Sequence, residues 1–143
     1  MKNNLSFFKI LSIIGLILVW TPIIFPIIIS IIGLVKTGKF LFDFLFPAEM
    51  FIIVLVGSAS LLLVAWKIKY NVKSIGFGLI TAVVLLFGSQ ILATITGLAS
   101  GEMEPKDGIF ALVVGGIVLY DLIVIEIGVA GLYLVNKLIK LKK

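Results

Sequence analysis

The chain has 143 residues, 62% of them hydrophobic and 13% charged, with a net charge of +5. A soluble domain of this size is nearer half apolar and a quarter charged, so a water-soluble globule is excluded, and a nucleic-acid role is not expected because the lysines mark the ends of apolar runs. There is no cysteine and no histidine, which removes disulfides, thiol chemistry and imidazole or thiolate metal sites.

An apolar run needs roughly 20 residues to cross a bilayer as a helix. Four such runs fit, about Ile10–Val35, Ala48–Trp66, Ile75–Ala99 and Ile109–Val135. Backbone that faces lipid must satisfy its own hydrogen bonds. The predicted fold is therefore all-α and integral to the membrane: a compact four-helix transmembrane bundle, one domain over residues 1–143, with no soluble domain.

The first run starts like a secretory leader, but its apolar stretch continues to Val35 without a small-residue cleavage site, which predicts a retained first helix. Its "TPIIFP" segment holds Pro22 and Pro26. Each proline lacks a donor and blocks the bond to the carbonyl four residues back, at Leu18 and Pro22, which predicts a kink or a break between Thr21 and Pro26. The following "KTGKFLFDFLFPAEMF" alternates Phe40, Phe42, Phe44 and Phe46 with other residues and reads as a segment lying in the headgroup interface. Pro47 and Glu49 there suit the first turn of the second helix.

The second helix carries "GSAS", 57–60, small residues that permit close approach of a neighbour, and ends in "WKIKY", an aromatic and lysine anchor. In the third, Ser74, Gly78, Thr81, Gly88, Ser89 and Thr96 gather on one side, with Gln90, Ala93, Thr94 and Gly97 forming a polar strip beside them. "SGEMEPKDG" is a short acidic turn before the fourth helix.

Nine lysines (Lys2, Lys9, Lys67, Lys69, Lys73, Lys137, Lys140, Lys142 and Lys143) fall on one side of the predicted membrane, against Lys36, Lys39 and Lys106 on the other. The positive-inside bias places both termini in the cytoplasm of a plasma-membrane protein. Five of the seven acids, Asp43, Glu49, Glu102, Glu104 and Asp107, lie on the outer side.

The remaining two, Asp121 and Glu126, interrupt the fourth apolar run. A charged carboxylate at mid-membrane costs about 2.5–3.5 kcal/mol on insertion scales, and no lysine lies inside the third or fourth run. Five residues turn a helix by about 140°, so the two acids face different neighbours. The run midpoints add Thr21, Ser58, Ser60, Ser89 and Gln90 at similar expected depth, which suggests a polar layer within the bundle. The candidate ligand or ion site is thus Asp121, Glu126, Gln90, Ser89, Ser58, Ser60 and Thr21, with the helix irregularity at Pro22 and Pro26. No catalytic set, metal site or cofactor is expected. The function expected is a small transporter or ligand-binding protein whose carboxylate site takes protons, cations or a small amphipathic ligand. The alternative is a non-catalytic accessory, immunity-type or regulatory protein bound to a partner membrane protein. The expected partners are the lipid bilayer and either a second copy of the chain or another membrane protein.

Overall fold

The structure, a computed structural model, describes residues 2–37, 50–98 and 108–140. Four helices account for most of them: α1 (Lys2–Thr37), α2 (Phe51–Ile68), α3 (Val72–Ile95) and α4 (Gly108–Lys140). All four are long and apolar enough to span a membrane. The expected interfacial segment, the roles of Pro47 and Glu49, and the acidic turn before α4 lie outside the described residues.

The helices pack in a ring in chain order. α1 lies against α2 and α4, and α3 against α4 and α2, while α2 and α4 touch only weakly across the middle. Large aliphatic side chains such as Ile13, Ile17, Ile80, Leu112 and Leu122 point outward, as expected where lipid is the solvent and burial of apolar area no longer drives helix association. What holds the bundle is close packing, and glycine sets its tightest point. A Cβ added to Gly15 would lie 2.9 Å from the Gly57 carbonyl oxygen, and one added to Gly57 would lie 2.9 Å from the Gly15 carbonyl oxygen. The "GSAS" stretch of α2 thus meets the backbone of α1 directly.

The same device recurs on α4. The Trp20 indole lies over Gly128, and the Leu16 and Leu61 methyls lie over Gly131. On α3, Gly78 receives Ile127. Between these contacts sits a core that includes Val19, Val54, Leu61, Ile75, Ile127 and Leu134.

α1 is helical without interruption through Pro22 and Pro26. Two missing donors can kink a helix without ending it, so of the kink or break expected there, the break does not occur. Both prolines fall on the buried stripe Ser12, Gly15, Val19, Pro22, Pro26 and Ser30, where neighbouring helices support the segment.

The α2–α3 connection is only Lys69–Asn71. Lys69 and Asn71 both adopt left-handed backbone, with φ of 52° and 54°. The Tyr70 N–H donates to the Ala65 carbonyl at 3.1 Å and the Lys69 N–H to the Trp66 carbonyl at 3.3 Å. This is a Schellman-type ending, which satisfies two of the last carbonyls of α2. The Lys137 ammonium of α4 sits 3.8 Å from the centre of the Tyr70 ring, tying α4 to the hairpin tip by a cation–π contact.

The glycine crossing makes a direct prediction. Gly15→Ala or Gly57→Ala is expected to destabilise the fold by about 1–3 kcal/mol, because a backbone carbonyl cannot step aside. Gly88→Ala, whose added methyl meets nothing within 4 Å, should change stability by less than about 0.5 kcal/mol. Denaturant titrations of the three variants in detergent micelles provide the comparison, and equal losses in all three would contradict the crossing.

Candidate functional site

Asp121 is half-buried on α4. It shares a face with Gly128, two helical turns away, which packs on Trp20. Its side chain therefore lies on the α1 flank of α4. It does not join the core face, where its neighbour Tyr120 is buried with its ring 6.4 Å from that of Phe51. Among the described residues nothing donates to the Asp121 carboxyl or pairs with it.

Glu126 looks the other way, as the 140° rotation requires. It is exposed on the α3 flank, and the Ser74 hydroxyl donates to its Oε1 at 3.4 Å. Ser74 is the third residue of α3. The first turn of a helix leaves its N–H groups without intrahelical acceptors and carries a partial positive charge. α3 has no acid of its own in that turn, and Asn71 makes no side-chain cap bond. Glu126 supplies the missing anion from α4. The two carboxylates are thus chemically unlike: one has a hydrogen-bond partner, and the other has none among the described residues.

The expected polar layer does not form. Gly57 packs on Gly15, and Gly131 receives both Leu61 and Leu16, so Ser58 and Ser60 lie near the level of Gly131. That is ten residues from Asp121, or about 15 Å along the helix. Ser89 instead abuts Gly116, five residues and about 7.5 Å to the other side. Gln90 follows it and is exposed. Thr21 adjoins Trp20, at the level of Gly128. The candidates are spread over some four helical turns because the helices differ in length and are staggered, so the middle of each apolar run is not a common depth.

Several hydroxyls are also occupied locally. Thr21 donates to the Ile17 carbonyl and Ser60 to the Val56 carbonyl, each at 2.8 Å. Ser58 Oγ and Trp20 Nε1 are buried without a partner among the described residues. Trp20 is the residue that sequence reasoning missed. Its indole N–H faces Gly128, and nothing in the local pattern of α1 singles it out. No group of three His, Cys, Asp or Glu side chains comes together among the described residues.

Compared with protein-family models, curated proteins and solved structures, the chain matches none.

If Glu126 serves the first turn of α3, Glu126→Gln should cost about 0.3–1 kcal/mol at low ionic strength, with a smaller difference in high salt. Unfolding measured at two salt concentrations tests this. A cost that does not change with salt would assign Glu126 some other role.

Proposed function

We propose that this chain is a plasma-membrane protein with cytoplasmic termini. Asp121 serves as the acceptor for a proton, a cation or the polar end of a small amphipathic ligand, in a small transporter or ligand-binding protein that works as a homo-oligomer. One observation carries this reading: a carboxyl half-buried in a spanning helix that makes no hydrogen bond or ion pair among the described residues. Retaining such a group is expensive in the absence of a use for it. Four helices with small residues at their contacts enclose little space, which favours a site completed between copies.

The same unpaired carboxyl supports the second reading. An accessory or regulatory protein would present Asp121 to a base on a partner membrane protein.

Orientation rests on the lysines. Lys67, Lys69, Lys73 and Lys137 cluster about the α2–α3 hairpin end, and Lys67 lies over the Trp66 ring at 5.7 Å, an interfacial arrangement. A reporter fused after Lys143 is expected to be active only in the cytoplasm, and activity on the outer side would invert the topology.

For Asp121 the informative variant is Asp121→Asn, which keeps shape and hydrogen bonding but has no titratable proton. Purified protein in liposomes, under an imposed pH or sodium gradient, should move protons (read by an internal dye) or sodium above protein-free controls. The asparagine variant should retain helical content and lose that flux at least tenfold. Equal flux in parent and variant would end the Asp121 proposal. No flux in either, together with a stoichiometric second membrane protein that co-purifies with the parent and is lost from the variant, would decide for the accessory reading.

A further inference from the structure

Between the outer halves of α3 and α4 runs an open groove of about 520 Å³, floored by Gly88, Gly115 and Gly116 and walled by Leu85 and Leu119. A Cβ added to Gly88 or Gly115 would meet nothing within 4 Å, so the backbone there is bare. Ser89 lines the groove, is only 7% exposed, and makes no hydrogen bond among the described residues. Other hydroxyls of α3 behave differently. Thr81 and Thr94 each donate to the carbonyl four residues back, at 2.9 and 2.8 Å. Ser89 is turned across the helix pair toward Gly116 instead.

The next residue is the complementary anomaly. Gln90 is exposed on a spanning helix, and its side-chain amide has no partner among the described residues. An unpaired amide facing hydrocarbon is costly. Gln90 is rotated by about 200° from Gly88 and Leu92, so it points away from the groove of its own chain. It cannot fill that groove, but the Gln90 of another copy can. Copies that share one orientation in the membrane hold Ser89 and Gln90 at the same depth to within about 1.5 Å.

We propose that the α3–α4 groove is the docking surface for a second copy of this chain, whose Gln90 amide enters beside Gly88 and Gly115 and bonds the Ser89 hydroxyl. The amide and the groove are different patches on opposite sides of α3. The contact is therefore head-to-tail, and in the plane of a membrane it repeats until it closes as a ring. This deepens the oligomeric part of the reading above by naming the interface. It does not depend on Asp121.

The absence of native cysteine makes cross-linking clean. Thr94→Cys lies one turn beyond Gln90 on its face, and Ala111→Cys lies one turn beyond Gly115 in the groove, so both leave Ser89 and Gln90 intact. In oxidised membranes the double variant should give a ladder of covalent oligomers. A mixture of the two single variants should stop at dimers, and each single variant alone should remain uncrosslinked. Cross-linking of Thr94→Cys by itself would mean a two-fold packing and overturn the proposal. No ladder from the double variant would also overturn it, because the groove would then hold only lipid or another protein.

A second measurement uses fluorescence energy transfer between labelled copies on dilution into liposomes. Gln90→Leu should weaken association roughly 3- to 20-fold, the range of a single membrane hydrogen bond. Gly88→Leu and Gly115→Leu, which have room within one chain, should keep parental helical content and abolish association. Unchanged association in these three variants would also refute the interface. Asp121→Asn should leave the ladder intact, so failure of the flux experiment and failure of this one are separable.

Discussion

The bundle depends on one close approach. Gly15 and Gly57 bring the backbones of α1 and α2 into contact, and the remaining packing follows from that anchor. With α2 held there, Leu61 reaches over Gly131, where Leu16 arrives from α1, so α4 is fixed against two helices at once. α3 then docks on α4 by the reciprocal arrangement, with Gly78 under Ile127. In a membrane, where lipid tails are as apolar as the side chains, such van der Waals fit is the main term available. That is why glycine, a poor helix former in water, sits at the contacts that matter most here.

The four spans were legible from hydropathy, their boundaries less so, and which helices would be neighbours was not. α1 begins at Lys2, well before Ile10, because "NNLSFFK" continues the helix although its polar residues do not look membrane-embedded. α3 starts at Val72 and stops at Ile95, since a left-handed Asn71 opens it and Gly97, at φ 73°, turns the chain away at its end. α4 runs on to Lys140. The α3 discrepancies arise where local backbone chemistry overrides the apolar run, and those of α1 and α4 where the helix continues past its apolar residues.

The site was less legible, for a geometrical reason. Residue spacing within α4 told correctly that Asp121 and Glu126 face different neighbours. It could not tell which neighbours, because Glu126 meets Ser74 across 52 positions of sequence, a pairing fixed by how far α3 slides along α4. The same stagger dissolved the expected polar layer. Helical phase can be read from one helix, but relative height cannot. Gly78 and Gly88 were visible as part of a stripe on α3, yet only the assembled pair shows that Gly78 is filled while Gly88 stays bare.

The Lys69–Asn71 turn bears on how the chain enters a membrane. Three residues reach about 10 Å at full extension, and the hydrocarbon layer is about 30 Å thick. Once α2 is inserted, its partner cannot remain behind on the far side or choose its own direction. α2 and α3 must therefore enter as a hairpin, with Lys67, Lys69 and Lys73 gathered at its bend, so the side taken by that one bend orients both spans. Biogenesis therefore decides the topology of half the bundle at one place in the chain.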